Sequence, residues 1–260
     1  MPENDMVSVV VPCYNHAPFL AATVQSVLAS AYSPLEVIIV NDGSTDPSEE
    51  VALELTRRYP NVHYAAQVNK GPAAARNHGI RLAAGTYILP LDADDLIAPR
   101  YIAEAVRLLS DEQVRVVYCE AEFFDQRQGP WKLPPFSRRL LARENMIFCS
   151  ALFRKAEWQQ CGGYDERMTW GWEDWEFWIS MLKGGGEVRK LPEVGFYYRV
   201  RKNSRRKSTN REAKRKTIAL INQKHQAFIR EQLLGPLRFQ RSHSRLINRL
   251  SSLFSLSHLQ

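Results

Sequence analysis

The chain has 260 residues, 45% hydrophobic and 24% charged, which is ordinary globular usage and allows one domain with a substantial core. Its net charge is +7, and much of the excess positive charge lies between Arg199 and Lys216. A run of like charges is most often a solvated face or loop. Four cysteines without a C-x-x-C pair argue against a zinc site or a disulfide framework and favour a reducing compartment. No apolar stretch reaches the ~18 residues of a spanning helix and no secretory signal is visible, so a cytoplasmic protein is expected.

Strand and helix patterns alternate through the first half of the chain. Short apolar or β-branched runs predict strands over residues 7–11, 37–40, 62–66 and 87–91. Three helices are predicted. The first covers 20–28, the second starts at Asp46-Pro47 with Asp46 as its cap, and the third runs from 71 to about 84. This alternation predicts an α/β fold with a largely parallel, right-handed, doubly wound sheet.

After residue 95 the pattern is less regular. A helix is predicted over 101–109 and a strand over 114–118, whereas residues 126–143 are expected to form a long loop of the kind that is often functional. A later helix carries Trp175, Trp178, Ile179 and Leu182 on one face and is terminated by the glycines at 184–186. The predicted domains are residues 1–211 and a helical tail over 212–260.

Acidic residues follow two of the predicted strands. Asp42 comes after the second strand, and Asp92, Asp94 and Asp95 come after the fourth. Open α/β sheets bind ligands beyond the carboxyl ends of their strands, so these acids predict a single crevice. Paired carboxylates suit Mg²⁺ or Mn²⁺ held together with a substrate phosphate, and Asp42 suits a base or a ribose hydroxyl. The competing interpretation makes Asp95 a helix cap and Asp42 a turn residue of Asn-Asp-Gly.

Two basic residues bracket a helix start at Gly71-Pro72. Lys70 and Arg76 are candidates for contacts with phosphate, assisted by the free amides of that helix start. Neither Gly43 nor Gly71 belongs to a G-x-G-x-x-G or a G-x-x-x-x-G-K-[ST] pattern. Dinucleotide-binding and P-loop interpretations are therefore unsupported.

A third acidic site lies at the start of the Trp-rich helix. Glu173 and Asp174 could cap this helix, which would lower the pKa of the carboxylates. The neighbouring Trp170, Trp172 and Trp175 would instead desolvate a carboxylate and raise its pKa, as a general base requires. The residues alone support both interpretations equally.

In combination, these motifs resemble the family-2 glycosyltransferases of GT-A fold. The resemblance covers residues 6–204 and rests on Pro-x-Tyr-Asn after the first strand, Asn-Asp-Gly-Ser after the second, Asn-Lys-Gly-x-x-x-Ala-Arg-Asn, Asp-x-Asp-Asp, and Gly-Gly-Tyr-Asp with Trp-Glu-Asp. It implies transfer of a hexosyl or N-acetylhexosaminyl group from a nucleotide-diphosphate donor to a hydroxyl of a carbohydrate or lipid-linked acceptor, with inversion and with Mn²⁺ or Mg²⁺. Surface polysaccharide or glycolipid synthesis is the implied setting.

The resemblance also implies roles for individual residues. Asp94, with Asp92, would coordinate the metal, Asp174 would be the general base, and Glu173 would help to position the acceptor. The nucleotide pocket would be lined by Pro12, Tyr14, Asp42, Lys70, Arg76, Asp92 and Ala93. The chain departs from the likeness at Arg201, which stands where members often carry a histidine after a Tyr-Arg pair. A guanidinium binds diphosphate but does not ligate a metal as imidazole does, so Arg201 is expected to clamp phosphate.

The last residues predict a basic amphipathic helix. One helical stripe carries Leu246, Ile247, Leu250, Leu253 and Phe254. Such a helix could lie on the cytoplasmic face of a membrane, where each nearby basic residue contributes about 1 kcal/mol, or pack against the catalytic domain or a partner. The sequence favours neither strongly, and it indicates no oligomeric state.

Two rival functions remain open on the sequence. A nucleotidyltransferase acting on a sugar phosphate also uses metal-bound carboxylates on an α/β sheet, but its usual glycine-rich N-terminal loop is missing here. A non-enzymatic anion or nucleic-acid binder would use the basic run from Arg199 to Lys216. Acids at strand ends are poorly suited to a phosphate backbone, so no nucleic-acid partner is expected.

Overall fold

The first half of the fold alternates strands and helices, as the sequence predicts. The structure, a computed structural model, describes residues 6–201 and 211–239. The strands are β1 (Val7–Cys13), β2 (Leu35–Asp42), β3 (Val62–Gln67) and β4 (Tyr87–Pro90). The helices are α1 (Ala17–Leu28), α2 (Ser48–Arg58) and α3 (Pro72–Leu82). The four strands pair in parallel in the order β3-β2-β1-β4, which confirms the doubly wound part of the prediction.

The second half extends the same sheet with mixed pairing. Its strands are β5 (Leu96–Ile97), β6 (Val114–Asp125), β7 (Gly129–Pro130), β8 (Leu152–Arg154) and β9 (Glu187–Val200). Its helices are α4 (Tyr101–Leu109), α5 (Arg138–Leu141), α6 (Lys155–Cys161), α7 (Glu173–Leu182), α8 (Arg211–Lys224) and α9 (Gln226–Leu233). Beyond β4 the order continues β8-β6-β9-β5, with β7 paired to β6. The β6–β9 pair is parallel, whereas β8 runs antiparallel to both of its neighbours.

The central parallel strands β1 and β2 lie in the core. All of β1 is buried, as is β2 after its first residue, in keeping with their largely apolar sequences. At Gly79 in α3, an added Cβ would collide with Val10 of β1 and lie 3.0 Å from Val40 of β2. Glycine thus lets α3 approach the sheet closely and fixes the position of its first turn at the edge of the cleft.

Three local predictions are corrected by the structure. Asp95 does not cap a helix, because β5 follows it directly, and its carboxylate accepts a hydrogen bond from the Arg199 amide at 2.8 Å. Pro47 takes the N-cap position of α2, while Asp46 accepts from the amides of Ser48 and Ala17, each at 3.0 Å. The predicted loop over 126–143 contains two short elements, β7 and α5.

The end of α8 and the start of α9 contact α7 through a buried polar junction. Glu176 of α7 is fully buried and accepts from His225 Nε2 at 2.6 Å, Lys224 Nζ at 2.9 Å and Ser180 Oγ at 2.8 Å. This part of the predicted tail therefore contacts the helix that carries Asp174. The predicted stripe between residues 246 and 254 lies outside the described residues. Across residues 6–201 and 211–239, no helix is long and apolar enough to cross a membrane.

Candidate active site

A cleft of about 1140 Å³ opens at the carboxyl ends of β1, β2 and β4. Its wall brings together residues that the sequence analysis singled out for the site, although they are spread over almost two hundred positions of the chain. These are Pro12, Tyr14, Asp42, Lys70, Arg76, Asp92, Ala93, Asp94, Glu173, Asp174 and Arg201. Asp95, the fourth acid expected at the crevice, is buried and does not line it. The roles of the lining residues have to be argued from their contacts.

Asp42 fixes the loop that leads into α3. Its carboxylate accepts from the backbone amides of Lys70 and Gly71 and from Gln67 Nε2, each at 2.8 Å. Gly71 has a φ of +87°, a left-handed conformation that favours glycine and turns the chain so that both amides point at Asp42. The side chain is 3% exposed, so Asp42 shapes the cleft wall from within.

Arg76 is a buried brace between two acidic sites. Its Nη2 lies 2.6 Å from Asp92 Oδ1, and its Nη1 lies 2.8 Å from Glu173 Oε1. Burial would raise the pKa of Asp92, but the adjacent guanidinium outweighs burial and holds that pKa below its usual range. Arg76 thereby joins the end of β4 to the start of α7, and its charge is shared by two carboxylates.

Asp174 has a raised pKa despite its place in the first turn of α7. Burial is the main cause and raises the pKa to about 7, with the charge of Glu173 adding and that of Arg76 opposing. Its Oδ1 accepts from the Trp175 amide, and its Oδ2 accepts from Asn145 Nδ2, both at 2.8 Å. Helix capping would lower the pKa of Asp174 and desolvation would raise it. The pKa is raised in the structure, as desolvation predicts.

Asn145 was missed by the sequence analysis. It follows the irregular segment over 126–143, where no motif signals a partner for an acid on a later helix. The structure brings it to Asp174 across 29 positions of the chain.

Asp94 lies next to a histidine and an arginine. Arg201 Nη2 is 2.7 Å from Asp94 Oδ2 and 2.7 Å from His16 Nε2, and the histidine nitrogen is 3.6 Å from the same carboxylate oxygen. Arg199 donates from Nε to the Asp94 carbonyl at 2.7 Å. Arg201 therefore lines the cleft, Arg199 is bound beside Asp94, and this part of the basic run is not a solvated face. Residues 202–210 of the run lie outside the described residues.

The donor set at Asp94 fits a divalent cation. A carboxylate oxygen and an imidazole nitrogen face one another, and Asp92 is 36% exposed on the same turn. Mg²⁺ and Mn²⁺ are typically held by one or two carboxylates with substrate phosphates completing the shell. No cluster of three or more His, Cys, Asp or Glu ligands occurs in the described part of the chain. His16 carried no signal in the sequence.

A second part of the cleft wall is aromatic. Trp131 lies with its ring 5.1 Å from that of Tyr198, and Phe148 stacks on Phe196 at 4.5 Å. All four rings line the same cleft as Asp174. The sequence analysis did not identify them, because they come from the irregular middle segment and from β9 without a shared motif.

The profile of the family described as Glycosyl transferase family 2 matches residues 8–169. The chain belongs to this family. It is 33% identical over 139 residues to the uncharacterized glycosyltransferase YibD of Escherichia coli K12, covering 53% of this chain and 40% of that protein. It is 29% identical over 221 residues to the uncharacterized glycosyltransferase EpsJ of Bacillus subtilis, covering 76% and 62%. A chondroitin synthase of Escherichia coli is 29% identical over 206 residues, covering 76% and 28%. The chain thus spans about half the length of the first relatives.

Solved structures share the fold of this family member. Staphylococcus aureus TarS 1–349 in complex with UDP-GlcNAc superposes with a TM-score of 0.72 at 18% identity, covering 98% of this chain and 73% of that one. The mannosyltransferase PcManGT from Pyrobaculum calidifontis, in complex with GDP-Man and Mn²⁺, superposes with a TM-score of 0.64 at 20% identity, covering 100% and 77%. The predicted family and the predicted GT-A fold are both confirmed.

Proposed function

We propose that this family-2 glycosyltransferase moves a sugar from a nucleotide-diphosphate donor to a hydroxyl of a carbohydrate or lipid-linked acceptor, with inversion at the anomeric carbon. The observation that carries the proposal is the position of Asp174, a half-buried carboxylate whose pKa is raised to about 7, in the same cleft as Asp92 and Asp94. A carboxylate of that basicity suits the abstraction of a hydroxyl proton near neutral pH.

The donor occupies the part of the cleft that β1, β2 and β4 build. Pro12, Tyr14 and the Asp42-braced loop with Lys70 form the nucleotide wall, and Tyr14 exposes 46% of its surface there. Asp94, with His16 and Asp92 beside it, would hold a divalent cation, which would supply positive charge to stabilise the departing diphosphate. The solved structures named above, one with UDP-GlcNAc and one with GDP-Man and Mn²⁺, support a nucleotide-sugar donor and a metal of this class.

The reaction that follows is a single displacement. An acceptor oxygen forms a bond to the anomeric carbon as the bond from that carbon to the diphosphate oxygen breaks, and its electron pair leaves with the nucleoside diphosphate. Asp174 takes the proton of the acceptor hydroxyl, and Asn145 fixes the orientation of the carboxylate. Glu173 is paired with Arg76 and keeps the start of α7 in position. A single displacement inverts the anomeric centre.

The aromatic wall supports a sugar-bearing acceptor. Trp131 and Tyr198 offer flat apolar surface of the kind that packs against the C–H face of a pyranose ring. A role in surface polysaccharide or glycolipid synthesis is supported by relatives named as a chondroitin synthase and, in Bacillus subtilis, as the minor teichoic acid biosynthesis protein GgaB. A lipid-linked acceptor would place the protein at the cytoplasmic face of a membrane.

The experiment combines donor binding with the Asp174→Asn substitution. Thermal unfolding in the presence of Mn²⁺ and UDP-, GDP-, TDP- or CMP-sugars is expected to select one base by a rise in Tm. With that donor, Asp174→Asn should lower the rate of sugar transfer or donor hydrolysis by about 10²–10⁴-fold, the range that general base catalysis supplies, and leave the Tm shift intact. The matched control is Asp111→Asn, an exposed aspartate remote from the cleft lining. A wild-type rate in Asp174→Asn would refute the assigned base, and the lack of any Tm shift would refute the donor class.

A further inference from the structure

The guanidinium of Arg201 lies between two groups that would themselves bind a cation. Its Nη2 is 2.7 Å from Asp94 Oδ2 and 2.7 Å from His16 Nε2. Arginine donates hydrogen bonds and cannot accept them, so His16 Nε2 must present its lone pair and the ring must carry its proton on Nδ1. A carboxylate oxygen and an imidazole lone pair therefore converge on one point, which is the arrangement that a metal ion uses.

We propose that Arg201 occupies the divalent-cation position of the cleft until a donor diphosphate draws it away, with His16 as the second protein ligand beside Asp94. The proposal rests on the proposed function for the identity of the diphosphate. It assigns to this chain a metal site whose filling is coupled to donor binding.

The distances leave room for a cation once the guanidinium has moved. His16 Nε2 and Asp94 Oδ2 are 3.6 Å apart. Ligands at adjacent corners of an octahedral shell with bonds of ~2.1 Å are separated by ~3 Å, so a shift of less than 1 Å, roughly, brings both atoms to bonding distance. The guanidinium and a divalent cation cannot share this space, because both would have to contact the same two lone pairs and their charges repel.

The contacts of Arg201 would let its guanidinium move away from Asp94, whereas Arg199 is fixed more firmly. Arg199 binds the Asp94 carbonyl through Nε and the Asp95 carboxylate through its amide, and its guanidinium lies 4.8 Å from the ring of Phe19. Arg201 lies 5.1 Å from the same ring. Within residues 6–201 and 211–239, its hydrogen bonds to Asp94 and His16 both leave from Nη2, and its buried Nε has no partner. A diphosphate offers several anionic oxygen acceptors to the guanidinium of Arg201, so it is suited to replace Asp94 as the hydrogen-bond acceptor of that guanidinium.

The test measures Mn²⁺ binding to the full chain without nucleotide, by the electron paramagnetic resonance signal of free Mn²⁺. Arg201→Gln is expected to bind Mn²⁺ about 10-fold more tightly than the wild type, because a competing charge is removed. Arg201→Ala provides a second variant should the first fail to fold, as judged by Tm. Adding His16→Ala to Arg201→Gln should abolish the gain. Arg100→Gln, at a site whose side chain is 83% exposed, is the matched control and should leave the affinity unchanged.

The outcomes separate this inference from the proposed function. Equal Mn²⁺ affinity in the wild type and in both Arg201 variants would overturn the inference, and so would a gain that survives His16→Ala. In a second arm, Mn²⁺ binding is measured again with UDP or GDP added to the wild type and to Arg201→Gln, and corrected for the Mn²⁺ that the nucleotide itself binds. The nucleotide that binds the protein should raise the Mn²⁺ affinity of the wild type more than that of Arg201→Gln. An equal rise in both proteins would overturn the coupling. Because the first arm requires no donor, it succeeds or fails independently of any sugar transfer.

Discussion

Replacing Arg76 by methionine tests the buried brace of the cleft. The substitution keeps an unbranched side chain of similar length and removes the charge that Asp92 and Glu173 share. Removing one partner of a buried ion pair costs about 3–5 kcal/mol of unfolding free energy, because the remaining charge is left uncompensated. The Asp92 side chain is 36% exposed and that of Glu173 only 8%, so most of the loss comes from Glu173. We therefore expect a loss of about 3 kcal/mol, the lower end of that range.

The loss of unfolding free energy in Arg76→Met should depend on pH in a defined direction. In the wild type, the pKa of Asp92 is held below the ordinary 3.8, so its contribution to stability is fully present above that value and is lost only as the pH falls through the lower folded-state pKa. In Arg76→Met no cation faces the carboxylates of Asp92 and Glu173, so protonation by acid relieves the cost of leaving them unpaired. The difference between variant and wild type should therefore shrink between pH 7 and pH 4.5.

Urea unfolding followed by tryptophan fluorescence measures both quantities. Arg81→Met is the matched control, because Arg81 lies on the same helix with its side chain 55% exposed and pairs with Glu166 at 3.7 Å. An exposed pair of this kind contributes about 0–1 kcal/mol. The reasoning is refuted if Arg76→Met costs no more than Arg81→Met, or if its cost is the same at both pH values.

Two further predictions concern the base and the fold. Asn145→Ala removes a hydrogen bond that lowers the pKa of Asp174, so the acidic limb of the pH–rate profile should shift to higher pH, and an unshifted limb would contradict the assigned contact. Gly79→Ala should destabilise the fold by about 1–3 kcal/mol in urea unfolding, because the added methyl collides with the sheet. Gly184→Ala is its control, since an added Cβ meets nothing within 4 Å there, and an equal cost for both would contradict close packing of α3.

The parallel half of the fold could be predicted because its signals are local. The apolar runs 37–40 and 87–91 mark the cores of β2 and β4, and Asp42 and Asp92 lie at or just beyond the carboxyl ends of these strands, so their meeting at one sheet edge follows from topology. The antiparallel half carries no comparable signal. Strand β8 has three residues, and its insertion between β4 and β6 depends on long-range pairing that no short pattern encodes.

The site residues that were missed share a different cause. His16 and Asn145 lie outside the acidic motifs, and each gains its meaning only from a distant partner, Arg201 for the first and Asp174 for the second. Asp95 was misassigned for the same reason. A carboxylate ahead of a predicted helix looks like a cap, but the partner that determines its role is the amide of Arg199, 104 positions away.

The basicity of Asp174 shows how such partners decide the chemistry of a residue. An acid in the first turn of a helix is expected to have a lowered pKa, because the amides and the helix dipole favour its charged form. Here the Trp175 amide and Asn145 do act in that direction, yet burial and the charge of Glu173 raise the pKa to about 7. Arg76 could reverse this result only if its charge were available to Asp174. Its two hydrogen-bonding nitrogens are already bound to Asp92 and Glu173, so its influence on Asp174 is weaker than that of burial. By pairing with Arg76, Asp92 thus helps to keep the carboxylate of Asp174 basic.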